Sequence, residues 1–279
     1  MKGRGLAVYT WLALGYLFFY LPIILLVANS FNASRIGSHW GGFSLHWYRQ
    51  LFADEQILHS AWLSVQIAFF SACGATVLGG FAGLALGRMG KFRGRTALAG
   101  MVAAPLVMPE VITGLSLLLL FVSMRAVFGW PHARGALTIT IAHITFCLAY
   151  VAVVVQSRVA TMDASLEEAA MDLGGRPFRV LLDITIPGIA PALLSGWLLS
   201  FTLSLDDLVI SSFVSGPGAN TLPMLIFSKV KLGITPDINA LAALIIGVVT
   251  LGVSVAGGWM FAQQRQALVL QRQQRTERP

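Results

Sequence analysis

The sequence predicts an all-α integral membrane protein with six transmembrane helices and both termini in the cytoplasm. Three observations carry that reading. Of 279 residues, 56% are hydrophobic and 11% charged, against roughly a quarter charged in ordinary soluble domains. The apolar residues fall into six runs, near 7–28, 61–87, 97–124, 137–157, 188–213 and 238–262, each close to the ~20 residues that cross a ~30 Å hydrocarbon core. These runs lack the period-2 alternation of barrel strands. Finally, thirteen of the nineteen Lys and Arg residues fall on one side of that layout: Lys2, Arg4, Arg88, Lys91, Arg93, Arg95, Arg158, Arg176, Arg179, Arg265, Arg272, Arg275 and Arg278. The positive-inside rule makes that side the cytoplasm. The net charge of +7 is thereby explained as topology, and no nucleic-acid partner is read from it.

The first run follows Lys2 and Arg4. It is longer than a signal-peptide core and lacks a small-x-small cleavage site, so it is expected to remain as a helix. Residues 29–60 form an outer segment with Trp40, Trp47 and Tyr48, aromatics suited to the membrane interface. A sharper alternative has Trp47 or Tyr48 facing a transport path and stacking on a cation. In the second run Gly79, Gly83 and Gly87 recur every four residues, a stripe that lets another helix approach closely. The Gly90-Lys91 pair that follows is no phosphate loop, because Ala85 and Phe92 stand where such a loop needs Gly and Ser or Thr.

The third run contains Pro105, Pro109 and Glu110. Two prolines four residues apart free carbonyls inside the membrane, a break tolerated where a helix lines a cavity. Counting ~1.5 Å per residue puts Glu110 near mid-depth, where an ionisable group costs roughly 2.5–3.5 kcal/mol and marks a functional site by default. In the fourth run His143 and Cys147 lie one turn apart without further ligands, so packing is favoured over metal binding. Cys73 and Cys147 both fall within runs and predict no disulfide. The fifth run carries Asp206 and Asp207, ~100° apart around a helix, so at most one points along a path while the other caps, snorkels or pairs. The tail after Ala262 is polar and carries no core.

Between the fourth and fifth runs lies a charged interruption, EAAMDLGGRPFRVLLDITIP (168–187). Ser165 and Glu168 fit a capping box, and Leu166, Ala169, Ala170 and Leu173 share one helical face. Gly174 and Gly175 stop this short helix, Pro177 opens the next, and Pro187 marks a bend into the fifth run. A two-turn helix is marginal alone and needs something to dock against.

The spacing Glu168-Ala169-Ala170, three residues, Gly174, nine residues, Ile184-Thr185-Ile186-Pro187 resembles the EAA loop of ABC-transporter permeases, with Ile186 where Leu is usual. The resemblance implies a type I importer permease fold. Residues 1–60 then form the first helix and outer segment, 61–262 the permease core with its loop at 159–187, and 263–279 a cytoplasmic tail. It assigns Glu168, Ala169, Ala170, Gly174, Ile184 and Pro187 to coupling with an ATPase subunit.

Subtracting loop carboxylates leaves Glu110, Asp206 and Asp207 inside runs, with no Lys or Arg at matching depth. Such groups protonate or await a cation. Sites at separate depths suit an elongated dication or a polycation better than one metal ion. The segments 104–121, 167–175 and 195–241 resemble the second permease of bacterial putrescine and spermidine ABC importers, especially putrescine importers. The resemblance implies Glu110 and Asp206 in the path with an aromatic near Trp47, although close relatives carry Asp at the position of Glu110. It further implies a partner permease, an ATPase dimer that uses ATP and Mg²⁺, a periplasmic polyamine-binding protein, and a bacterial inner membrane. No catalytic residue, metal or cofactor is expected in this chain. The rivals are a permease for another cation such as Fe³⁺ and, more remotely, a cation channel, which also uses carboxylates but has no need of a docking loop.

Overall fold

The computed structural model describes residues 2–34, 39–232, 236–252 and 254. Helices make up the regular structure of these residues, save one isolated bridge between Asn32 and Phe43. They are α1 (Lys2–Ser30), α2 (His46–Ala53), α3 (Glu55–Arg88), α4 (Arg95–Val107), α5 (Glu110–Phe128), α6 (Ala136–Thr161), α7 (Ser165–Asp172) and α8 (Pro177–Val180). A π-helical turn (Leu181–Thr185) follows, then α9 (Ile186–Asp206), α10 (Val209–Val214), α11 (Leu222–Leu232) and α12 (Pro236–Gly252).

Among the described residues five stretches are long and apolar enough to cross a membrane: Val8–Ser30, Glu55–Arg88, Glu110–Phe128, Ala136–Thr161 and Pro177–Asp206. The expected run at 97–124 is not one span. It divides into α4 and α5 at Met108 and Pro109, both extended with ψ of 136° and 137°. The break falls at the second proline alone, and Pro105 is accommodated inside α4. The run at 188–213 is likewise corrected, since α9 ends at Asp206 and a separate short helix follows. α8, the π turn and α9 follow one another without a break, and Pro187 lies in the first turn of α9, where proline is tolerated. Of the sixth run, 238–262, residues 238–252 and 254 are described and the remainder lies outside the described residues.

The chain divides into two compact units, 1–55 with 229–279, and 56–228. In the first, Lys229 joins two carboxylates, Asp54 at 3.2 Å and Asp237 at 3.1 Å. The second has α6 at its centre, packed against α9, α4 and α10, with α5 on α10. Ile139, Phe146, Val151, Val155, Ile189 and Ile210 are buried there.

Lipid is as apolar as leucine, so these helices gain little from hiding hydrophobic surface and depend on close packing instead. The glycine stripe of α3 supplies it. A Cβ on Gly79 would lie 2.6 Å from the Leu148 carbonyl oxygen, and one on Gly83 2.6 Å from that of Ala152. Val151 and Val155 fill the notches that the missing side chains leave. A Cβ on Gly100, on the exposed face of α4, would meet nothing within 4 Å.

Gly83→Ala is therefore expected to destabilise the chain by about 1–3 kcal/mol, the cost of overpacking. Gly100→Ala should be neutral or stabilising by about 0.5–1 kcal/mol, as for glycine inside a helix. Thermal unfolding of both variants in detergent checks this; equal midpoints would contradict the packing role.

Candidate functional site

Four polar side chains in the second unit meet where α9 ends. His143 and Asp207 are almost fully buried, with side chains 2% and 6% exposed. His143 Nε2 lies 3.1 Å from Asp207 Oδ2 and 3.1 Å from Ser211 Oγ, and Nδ1 lies 2.6 Å from Ser204 Oγ. A carboxylate can only accept, so Nε2 carries the proton, and a neutral ring then takes the Ser204 hydroxyl on Nδ1. Asp207 also accepts the backbone N–H of Ile210 on Oδ1 at 3.2 Å and of Ser211 on Oδ2 at 2.7 Å. It leaves α9 as an extended residue, ψ 126°, and caps the start of α10. Ser, His and Asp together could suggest a catalytic triad. Here Ser204 is buried and meets the nitrogen that faces the carboxylate in such triads, so the cluster is a lock and not a reaction centre.

Asp206 and Asp207 thus have opposite fates. They do not share a helix: Asp206 is the last residue of α9 and is exposed, while Asp207 turns inward. The missing Lys or Arg is replaced by a histidine that spacing alone assigned to packing. Glu110 is exposed in the first turn of α5, directly after the extended pair, where the helix dipole favours an anion. α6 links these places. His143, Cys147 and Tyr150 follow the i, i+4, i+7 spacing of one helical face. His143 meets Asp207, the Cys147 thiol donates to the Ser200 carbonyl at 3.7 Å, and half-buried Tyr150 lies within electrostatic reach of Glu110. Tyr150 escaped the sequence reading, although its spacing from His143 was the available signal.

Trp47 and Tyr48 belong to the other unit. The Trp47 ring is 4% exposed and its indole N–H donates to the Asn32 carbonyl at 2.7 Å. The Tyr48 hydroxyl pairs with Ser30 Oγ at 2.7 Å, and its ring tilts on Phe31. Both side chains hold the segment after α1 in place. Among the described residues no group of three His, Cys, Asp or Glu side chains could hold a metal ion.

The charged interruption forms a second site. The expected Ser165–Glu168 capping box is absent. Asp163 instead accepts the Ser165 N–H at 2.9 Å, which holds its carboxyl below the usual range, and the Glu168 N–H bonds the Ala164 carbonyl. The helix ends as the glycines require. Gly174 has φ of 87°, its N–H bonds the Met171 carbonyl, and the Gly175 N–H bonds that of Ala170. A Cβ on Gly175 would lie 2.6 Å from the same Ala170 oxygen. No residue of α7 is buried, and Leu166, Leu173 and Phe178 are exposed by 59%, 90% and 71%.

Glu168, Ala169 and Gly174 are exposed and Ala170 half-buried, while Ile184 lies in the π turn and Pro187 in the first turn of α9. The glutamate engaged within the chain is Glu167. Its Oε2 accepts Arg88 Nε–H at 2.8 Å and its Oε1 the Thr185 hydroxyl at 2.8 Å. Burial opposes its ionisation, but the Arg88 and Thr185 bonds and the Arg88 charge outweigh that and hold its pKa below 4.5. A groove of about 620 Å³ opens beside it, lined by Phe81, Arg88, Met171, Val180 and Leu181 among others.

Residues 75–268 match the family model described as binding-protein-dependent transport system inner membrane component. The chain is 54% identical over 257 residues, 92% of each chain, to a putrescine transport system permease protein of Escherichia coli (strain K12). It is 46% identical over 231 residues to a spermidine/putrescine transport system permease protein of Haemophilus influenzae, covering 83% of this chain and 87% of that one. Among solved structures it resembles a chain of a bacterial ABC transporter involved in import of the acidic polysaccharide alginate. The TM-score is 0.72 at 18% identity, over 92% of this chain and 96% of that one.

His143→Leu is expected to destabilise the chain by about 1.5–3 kcal/mol, the worth of a hydrogen bond to a charged group. Adding Asp207→Leu should recover part of that loss in thermal unfolding, because the stranded carboxylate goes with it. The Arg88–Glu167 bridge contributes fully at neutral pH. Its contribution is lost as the pH falls below the ordinary glutamate value of 4.5 and through the depressed folded value. Unfolding midpoints measured down through that range should therefore fall less steeply in Glu167→Gln than in the wild type.

Proposed function

Because the chain belongs to the family of binding-protein-dependent transport system inner membrane components, we propose that it is the membrane permease subunit of an ATP-driven polyamine importer. It sits in a bacterial inner membrane beside a second permease, above a pair of ATPase subunits, and receives its cargo from a periplasmic binding protein. It catalyses nothing itself; ATP and Mg²⁺ are used by the separate ATPase.

The observation that carries the substrate class is the contrast between the carboxylates. Asp207 is sealed by His143 and two backbone donors, whereas Glu110 and Asp206 are exposed, each at a helix break. Exposed carboxylates at separate breaks suit a linear cation with ammonium groups at its ends, and an aromatic face such as Tyr150 adds cation–π attraction. The relatives named for putrescine and spermidine transport point the same way. At the other site, exposed apolar side chains on a helix with no buried residue support docking onto the ATPase. ATP-driven closure there tilts the long helices and exposes the carboxylates to released cargo.

Uptake of labelled putrescine by cells carrying the complete importer tests this. Glu110→Gln or Asp206→Asn should each reduce apparent affinity by about 10–100-fold, the loss of one charge-assisted contact. Unchanged uptake in both would remove the cargo assignment, and nucleotide hydrolysis by the purified chain alone would contradict its non-enzymatic role.

A further inference from the structure

The glutamate that the EAA spacing singles out is Glu168, yet its neighbour Glu167 makes the internal contacts. Each oxygen of Glu167 serves a different element: Oε2 takes the Nε–H of Arg88, the last residue of α3, and Oε1 takes the hydroxyl of Thr185, the last residue of the π turn that leads into α9. Arg88 also donates Nη1–H to the carbonyl of Met162, the residue after α6, at 3.4 Å. The end of α3 and the start of α9 therefore meet on one carboxylate carried by α7, and Arg88 ties in the end of α6 through the Met162 carbonyl. With no buried residue of its own, α7 has no core to hold it, so this directional bond set fixes its orientation.

We infer that Glu167 is a positioning residue that makes α3 and α9 follow α7 together when α7 is displaced, so that loss of the clamp uncouples transport from nucleotide hydrolysis. A bidentate carboxylate resists a shift of either partner alone, because moving one helix without the other breaks a bond on one side. Packing would tolerate such a shift, since apolar contacts slide. The π turn adds to this. Its i→i+5 bonding leaves an extra residue in the helix, a place where a long helix can change register, and Thr185 pins its last residue. Arg88 Nη2 is buried and has no partner among the described residues, which leaves a donor in hand for another acceptor when the loop moves. The clamp is partly solvated, with Arg88 and Glu167 side chains 25% and 15% exposed. Glu167→Gln keeps the size of the side chain and can still accept from Thr185, so coupling is separated from folding by reading assembly and basal hydrolysis beside stimulation.

The inference rests on the permease reading, and the test separates the two. The complete importer is reconstituted with its ATPase subunits, and nucleotide hydrolysis is measured without and with putrescine-loaded binding protein. The variants are Glu167→Gln, Arg88→Gln, Thr185→Val and the exchange Arg88→Glu with Glu167→Arg. Assembly and basal hydrolysis should persist in all of them. Stimulation by the loaded binding protein should fall at least about fivefold in the first two, the lower end of ordinary allosteric couplings. It should fall less in Thr185→Val, which keeps the Arg88 bond, and the exchange should recover most of it. Stimulation preserved in Glu167→Gln, no recovery in the exchange, or loss of assembly in Glu167→Gln would each overturn the clamp. A wild-type complex that putrescine-loaded binding protein fails to stimulate would instead overturn the permease reading.

Discussion

Inside a membrane a polar group must find its partner within the protein, and this constraint orders the chain. It restricts the backbone to helices, whose hydrogen bonds are internal. It allows the two interruptions in the second unit only where other groups answer them. At the end of α9 that answer is the pairing of Asp207 with His143, backed by Ser204, Ser211 and two backbone N–H groups. At Pro109 it is the first turn of α5, whose Ile112 and Thr113 N–H groups return to the Pro109 carbonyl. Close helix packing is the other half of the solution. The α3 glycines bring its backbone against α6, so that α6 can carry His143, Cys147 and Tyr150 on one face and Val151 and Val155 on another.

Once those requirements are met, the groups left unmet are the ones on which the proposed function rests. Glu110 and Asp206 are carboxylates at helix breaks without the enclosure given to Asp207, and they suit a cation that arrives and leaves. Leu166 on α7, Leu173 just after it and Phe178 on α8 are exposed apolar groups, on a segment whose flanks are basic, and they suit a protein surface. Between the two, the Arg88–Glu167–Thr185 clamp joins α7 to the ends of α3 and α9. Under the proposed function, one unit would hold a binding element, a docking element and a connection between them.

Much of this was legible in the sequence, for reasons that can be named. Apolar run length and the four-residue glycine period report on lipid and on helix contact directly, so α3, α6 and the contact face of α3 could be read from spacing, but not that α6 packs on that face. Gly174 announced the end of α7 because only glycine takes a positive φ there without strain. Breaks were harder. Two prolines flagged α4 and α5 but did not say which one would break the helix, and nothing about Asp206 and Asp207 showed that the second would leave it. His143 is buried as its packing role requires, but its partners were not legible, since they lie 61 to 68 positions away, a separation that no local pattern records. The same holds for Glu167, whose partners lie 79 positions upstream and 18 downstream, whereas Ser165 became the first residue of α7, its N–H held by Asp163 two positions earlier.

The claim that matters most is that α7 projects into the cytoplasm and is covered there by a nucleotide-hydrolysing partner. Its most direct test is labelling of Leu173→Cys, in a chain with Cys73 and Cys147 replaced by alanine, using a membrane-impermeant maleimide. Expected is reaction in inside-out vesicles stripped of the ATPase, protection when the ATPase is restored, and no reaction from the periplasmic face. Labelling from the periplasmic face, or a rate in inside-out vesicles that the ATPase does not change, would contradict it.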